Sequence, residues 1–395
     1  MPTNRKDTQT RKCVLLVSFS PLDRDPRILR QLRVLSQHFD VITIGYGPKP
    51  ELAKEHIEIS EKPKGDWWGR IIRLVQANLG LTGRAYKNSE KYSDALRWVN
   101  ENADRIGAVI TNDVLALPIG LATGKPVHAD VHEYALGQRN NLSTRILTAP
   151  YIRWAAGLLP KATSMSTVAP GIARRYKDEY GVDSTIVTNS PYFVPDVPST
   201  ATNRPVKLVH MGVAVEERSL DMPIKAVVAA NRENAGSVAL DYYVVPGVAS
   251  YIEGLRKLAG DFAVTGVRLR QPVAFDEIHQ TLRKYDAAVA YFPPKTVNLK
   301  HTLPNKFFEA VQARIGVITG PSSEMGPYLD EYGFGASTKD WSQEALNELV
   351  ASLEPKEIDK WKESAAKVAK ELSAEEQDLK WLDAIKKLLK EDGNV

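Results

Sequence analysis

Short apolar runs alternate along this chain with longer segments whose apolar residues recur every three or four positions, and the alternation happens twice. In the first half, Cys13 to Phe19, Val41 to Gly45, Ala108 to Thr111 and Val127 to Val131 are short, mainly apolar runs and predict strands of a sheet covered on both faces. Between them, Asp25-Pro26 opens a helix through Ser36, with Asp25 as its cap and Pro26 in its first turn. Helices are also predicted over Asp94 to Ala103 and Leu115 to Thr123. Pro191, Pro195, Pro198 and Pro205, set among Ser, Thr and Asn, then mark 191–205 as a linker. After it the pattern restarts. Strands are predicted over Val206 to Met211, Leu240 to Val245, Val267 to Leu269, Ala287 to Phe292 and Gly316 to Thr319. Helices fall over Leu220 to Ala230, Tyr251 to Ala259 and Phe275 to Lys284. The expectation is an α/β protein of two tandem Rossmann-like βαβ domains, 13–190 and 206–372. Before them lies a basic tail, 1–12, predicted to be disordered. After them comes a last helix within 373–395, capped by Ser373 and Glu376. Its apolar stripe of Leu379, Leu382, Ile385 and Leu389 must dock on something.

Length and composition fit this picture. The 395 residues are enough for two cores, and 43% hydrophobic with 25% charged residues is ordinary for a globular protein. No apolar run approaches the roughly 18 residues of a membrane-spanning helix. The N-terminus is polar and basic, without a signal-peptide core, which predicts a cytoplasmic protein. One cysteine, Cys13, excludes an internal disulfide and sits in an apolar run, so a buried small side chain is expected there.

The net charge of +4 is too small to suggest nucleic acid, but it is unevenly placed. Lys62, Lys64, Arg70, Arg73, Arg84, Lys87 and Lys91 face only Asp66 and Glu90 in the same stretch. Inside it, Asp66 to Leu79 projects as an amphipathic helix, with Trp67, Trp68, Ile71, Ile72, Leu74, Val75 and Leu79 on one arc and Arg70 and Arg73 opposite. Packing of that stripe on the first domain's core is the leading expectation. The alternative is peripheral contact of 66–79 with an anionic membrane, at the inner face.

The most informative chemistry lies at His301 to Val311. Pro304 suits the first turn of a helix, and the free N–H groups there favour an anion. Phe307, Phe308, Val311 and Ile315 share one arc, while Asn305, Lys306 and Glu309 share the other. Lys306 is placed to neutralise a phosphate, and Glu309 to accept from a pair of ribose hydroxyls. An ordinary solvated helix face would carry the same residues. Neither a Gly-x-Gly-x-x-Gly nor a P-loop follows any strand, and Gly45-Tyr46-Gly47 is too weak to count as a dinucleotide site. Asp23-Arg24-Asp25 has the form of a metal motif, but Asp25 is better used as the helix cap, so no metal is expected.

In combination, Lys125-Pro126-Val127-His128-Ala129-Asp130-Val131-His132-Glu133, Val187-Thr188-Asn189-Ser190-Pro191 and Leu303-Pro304-Asn305-Lys306-Phe307-Phe308-Glu309 resemble glycosyltransferase family four, glycosyl transferases group 1. The resemblance runs from about Val14 to the C-terminus. It implies a GT-B fold, whose two domains face a cleft, and a retaining hexosyltransferase that uses a UDP or GDP sugar. The acceptor would be a glycan or lipid-linked, as in polysaccharide or glycolipid biosynthesis, with no cofactor beyond the nucleotide-sugar co-substrate. By the same likeness Glu309 holds the nucleotide ribose, and Leu303, Pro304, Asn305, Lys306, Gly212 and Arg218 hold the donor diphosphate. His301 and Thr302 lie near the donor sugar. His132 acts close to that sugar, although a histidine beside Asp130 and Glu133 at a strand end could simply be hydrogen-bonded structure. The last helix would cross back toward the N-domain. The chain departs from the family at His301, where a glutamate is usual, at Val213 after the glycine, and at Arg314 and Gly316. These departures motivate a non-catalytic nucleotide-sugar binder or partner subunit as the alternative. A nucleotide-sugar epimerase fits less well, because no dedicated acid and base carboxylates stand in matching places.

Overall fold

The computed structural model describes residues 12–60, 67–137, 146–198, 200–245 and 247–391. The basic tail and residues 61–66, which include Asp66, lie outside them. The chain divides into two compact units. The first comprises Met1–Val168, Ile172–Val187 and Asp378–Val395, and the second Ala169–Gly171 and Thr188–Gln377.

The first unit is built on seven parallel strands: β1 (Cys13–Pro21), β2 (Asp40–Tyr46), β3 (Glu55–Glu58), β4 (Ala108–Asn112), β5 (Val127–Val131), β6 (Ser164–Thr167) and β7 (Thr185–Ile186). Their order is β3-β2-β1-β4-β5-β6-β7. β4 and β5 are wholly buried and β1 is buried over Val14–Ser18, as parallel strands covered on both faces must be. Cys13, at the start of β1, is only half-buried. Helix α1 (Pro26–Leu35) starts where Asp25 predicts, its Oδ1 accepting from the N–H groups of Arg27 at 3.0 Å and Ile28 at 3.4 Å. That side chain is used as a cap. α1 buries Ile28, Leu32 and Leu35 against Val14, Leu16, Val41 and Ile110.

Helix α2 (Trp67–Asn78) contradicts its leading expectation. Only Ala77 is buried. Trp67, Trp68, Ile72, Val75 and Leu79 are 50 to 73% exposed, so the apolar stripe faces away from the core.

The second unit repeats the plan with β8 (Val206–Val213), β9 (Val238–Val245), β10 (Val267–Arg270), β11 (Ala287–Ala290), β12 (Gly316–Thr319) and β13 (Gly335–Ser337), in the order β10-β9-β8-β11-β12-β13. All pairs are parallel. Helices α3 (Asp221–Glu233) and α4 (Asn305–Ala313) pack on this sheet, where Ile224, Val227, Leu240, Tyr242, Val289 and Ile318 form the core. In both sheets the order reverses beside the first strand, between β1 and β4 and between β8 and β11. Loops diverge there, and the strands' C-terminal ends leave a crevice suited to a ligand.

Helix α5 (Ala374–Glu391) follows Ser373, but the Ser373 hydroxyl is buried without a hydrogen-bond partner, so no capping box forms. The Ala374 N–H donates instead to the Pro191 carbonyl at 2.8 Å. From Asp378 on, α5 belongs to the first unit and completes its core with Trp381, Leu382, Ile385, Leu388 and Leu389. Leu379 is 48% exposed and falls outside that stripe.

Candidate active site

In the second unit, Gly212 is the next-to-last residue of β8, and the space over that glycine is where the chemistry gathers. A Cβ at this position would lie 2.8 Å from Lys306 Nζ, 3.1 Å from Arg218 Nη1 and 3.5 Å from His210 Nε2. Glycine is required here by close approach, because any side chain would displace the ammonium or the guanidinium. Arg218 closes a short 3-10 turn, Glu216–Arg218, and Ser219 reverses the chain at φ 52° to start α3. Lys306 stands in the first turn of α4. Both cations face Phe292, with Lys306 Nζ 5.4 Å and Arg218 Cζ 5.9 Å from its ring centroid.

The start of α4 differs from expectation by one position. Pro304 is the N-cap, at φ −80° and ψ 153°, and Asn305 is the first helical residue. The Pro304 carbonyl accepts from the Phe307 N–H at 3.0 Å, but a proline ring cannot cap. No side chain therefore covers the first-turn N–H groups, which leaves them to a ligand. Leu303 is buried beneath them, and Asn305 is exposed. At the far end Arg314 takes the left-handed conformation, φ 59°, that a glycine usually supplies. Its guanidinium donates to the carbonyls of Val311, Gln312 and Val194, so the side chain supports the turn that its backbone makes.

Two like charges this close are held at an electrostatic expense. Burial, with Arg218 adding, lowers the Lys306 ammonium from 10.5 to about 8, against an opposing pull from Glu309. Burial raises the Glu309 carboxyl, which Lys306 partly offsets. Among the described residues Lys306 Nζ has no hydrogen-bond partner. A dianionic group at this point would relieve both strains together.

His301 closes a one-turn helix, Val297–Lys300, and its Nδ1 lies 3.0 Å from Glu324 Oε1. Glu324 is 1% exposed. Its Oε2 accepts from the Gly171 N–H at 2.9 Å, and the Ser323 hydroxyl donates to Oε1 at 3.1 Å. A Cβ at Gly171 would fall 2.0 Å from His301 Nδ1, so this position also needs glycine. Thr302 is half-buried beside His301. Where the chain lacks a glutamate at 301, it therefore holds a buried carboxylate against the histidine that stands there.

In the first unit, His132 follows β5 at the end of the sheet. Its Nε2 lies 3.2 Å from Asn112 Oδ1 and 3.4 Å from Asp130 Oδ2. Two acceptors require a hydrogen on Nε2. The Asn112 orientation is itself fixed by reciprocal bonds with Gln31, at 2.9 and 3.0 Å. Asp130 is fully buried and accepts from Arg27 Nε and Nη2 at 2.7 Å each, Gln31 Nε2 at 2.7 Å and Ser166 Oγ at 2.6 Å. Burial alone would raise its carboxyl, but Arg27 overrides this and holds it well below the usual carboxylate range. For His132, burial pulls downward, and Asp113 with the bond to Asp130 outweighs it, so the imidazole is raised. The network thus satisfies the structural reading of His132 and leaves Nδ1 without a hydrogen bond among the described residues.

The structure brings Gly212, Arg218 and Lys306 to one point, with Glu309 a turn further on, and sets His132 in its own network in the other unit. Sequence reasoning missed His210, Phe292 and Glu324. His210 interrupts the apolar run Leu208 to Met211 two residues before Gly212, and that was the available signal. Phe292 and Glu324 carried none.

The two sheets and their switch points define a two-domain α/β protein of the GT-B fold. No protein-family model matches the chain, and no curated protein matches it in sequence. Solved structures do match in shape. WaaG, a glycosyltransferase involved in lipopolysaccharide biosynthesis, is 14% identical with a TM-score of 0.64 over 94% of this chain and 99% of its own. Anabaena HepE in complex with UDP and glucose is 11% identical, with a TM-score of 0.65 over 95% and 100%. A UDP-forming trehalose-phosphate synthase from Burkholderia vietnamiensis is 10% identical, with a TM-score of 0.64 over 96% and 99%.

Proposed function

We propose that this protein transfers a sugar from a nucleotide-diphosphate donor, UDP- or GDP-linked, to a glycan or lipid-linked acceptor, with retention and without a metal ion. The observation that carries the reading is the convergence of Lys306 and Arg218 over Gly212, beside an uncapped helix start. Charge develops on the diphosphate as the donor's glycosidic bond breaks. Fixed cations and N–H groups there stabilise the transition state more than the ground state, which is the work a metal does elsewhere. Retention then follows if the acceptor hydroxyl attacks from the face the diphosphate leaves and gives its proton to a diphosphate oxygen. Glu309 grips the ribose. His132 presents Nδ1 or its carbonyl to the sugar.

The acceptor side is supported by α2. Trp67 and Trp68, with ring centroids 4.0 Å apart, and exposed Ile72, Val75 and Leu79 are flanked by exposed Arg70, Arg84 and Lys87. The Asn78 amide donates to the Ile146 carbonyl at 3.1 Å, which adds exposed Ile146 and Leu147 to the same patch. Indole rings and aliphatic side chains ringed by cations suit an anionic lipid surface, where a lipid-linked acceptor would lie. No described helix is long and apolar enough to cross a membrane.

The test is a binding and turnover screen of UDP and GDP sugars. The reading expects one to raise the melting temperature by mass action and to be slowly hydrolysed, with both effects lost in Glu309→Ala. Binding without turnover on any acceptor would favour the non-catalytic alternative. No binding by any member would sink the proposal.

A further inference from the structure

His210 is buried, 3% exposed, between Tyr242 and Phe292, whose rings lie 5.1 and 6.0 Å from its own. Its Nδ1 is 2.8 Å from the Val289 carbonyl oxygen, which can only accept, so the hydrogen of the neutral ring is on Nδ1. Nε2 is then a bare lone pair. Burial, followed by the nearby Lys306 and Arg218 charges, lowers the imidazole to about 3, and the ring stays neutral at any ordinary pH. Yet Nε2 is buried with no hydrogen-bond partner. Folded proteins seldom keep such an acceptor without a use for it.

The lone pair stands 3.5 Å from the same point over Gly212 that Lys306 Nζ approaches to 2.8 Å. An acceptor and an ammonium, neither hydrogen-bonded among the described residues, therefore approach one point over Gly212. A fully ionised diphosphate offers only acceptor oxygens, so it satisfies the cations and leaves Nε2 as it was. Lys306 can satisfy both. An ammonium carries three hydrogens, and one given to Nε2 still leaves two for phosphate.

Resting on the diphosphate reading above, we propose that His210 is a positioning residue, whose Nε2 accepts a hydrogen bond from Lys306 when an anion occupies the site and so aims the ammonium at it. The charged groups facing Lys306 are Arg218 and Glu309. Neither can supply a neutral acceptor, and His210 does so without weakening the positive field.

Two near-isosteric variants separate this role from a structural one. His210→Asn keeps an N–H where Nδ1 bonds Val289 and removes the acceptor at Nε2. His210→Gln does the reverse. Inorganic diphosphate affinity is measured by titration calorimetry at pH 7.5 on the full chain, for wild type, both variants, Lys306→Met, and Lys306→Met with His210→Asn. The proposal expects His210→Asn to weaken binding roughly 10- to 100-fold, as for a hydrogen bond to a charged group. His210→Gln should stay within about fivefold of wild type, and the double variant should bind no more weakly than Lys306→Met alone. Wild-type affinity in His210→Asn overturns the proposal, as do losses that multiply in the double variant, or a greater loss in Gln than in Asn. Wild type that binds diphosphate through this pair but no nucleotide sugar would refute the donor reading alone.

Discussion

On the proposed donor reading, the depressed Lys306 makes nucleotide affinity a function of pH, and burial beside Arg218 sets the direction. The ammonium is lowered from 10.5 to about 8 because it is buried beside Arg218. An anion binds the charged form. Below about pH 8 the ammonium is already charged and affinity is flat. Above that value the free protein loses its proton while the complex keeps it, so affinity falls about tenfold per pH unit. The fall ends where the bound ammonium titrates in turn. If a bound diphosphate restores the ordinary value, its differential interaction is about 3 kcal/mol, a loss of roughly two decades or more by pH 10.5. UDP and GDP suit the assay, since a terminal phosphate has a second ionisation near pH 6 and stays fully ionised throughout. Calorimetry at pH 9 in two buffers of different ionisation heat should show uptake of close to one proton per nucleotide bound. Lys306→Met should abolish both the slope and the uptake. An affinity flat from pH 7.5 to 10, or a slope that survives in Lys306→Met, would refute the reasoning.

Other consequences are measurable separately. Gly212→Ala should cost at least tenfold in diphosphate affinity, by titration, because its methyl would stand 2.8 Å from the ammonium. His132→Ala should lower kcat far more than nucleotide Kd in steady-state and binding assays; near-normal turnover would remove it from the site. Trp67→Ala with Trp68→Ala should abolish co-sedimentation with anionic liposomes at low salt while leaving UDP or GDP affinity unchanged, and an unchanged liposome-bound fraction would reject the lipid role of α2. Asp130→Asn leaves Arg27 buried without its counter-charge and should destabilise the fold by about 3 to 5 kcal/mol in urea unfolding.

The strands at the centre of each sheet were legible because burial on both faces writes itself as a mainly apolar run. Ala108–Asn112 and Ala287–Ala290 fall where the pattern predicts them. Edge and polar strands do not announce themselves in this way. Ser164–Thr167 is largely polar, yet it is held by pairing to β5, and Glu55–Glu58 is an edge with a half-exposed face. For α2, periodicity shows that an apolar stripe exists but not what lies opposite it. Helix α4 was readable as a candidate anion site, since Lys306 and Glu309 stand on it at helical spacing. His210 was not, because its meaning depends on Val289, 79 residues away, and on a lone pair that only packing leaves unused.

Helix α5 carries one further implication, for biosynthesis. Trp381 sits fully buried beneath Arg27 and Arg30, 4.6 and 5.2 Å from their guanidinium carbons, and donates to Ser166 at 3.2 Å. Asp378 takes Arg30 at 2.6 Å across 348 positions of chain. While the ribosome is still making the second unit, Arg30 awaits its carboxylate, and the indole that both arginines cover is not yet translated. Its core is closed only by residues that follow the second unit in the chain. A nascent chain stalled anywhere in the second unit should therefore leave the first loosely folded and open to protease, however long ago its own strands emerged.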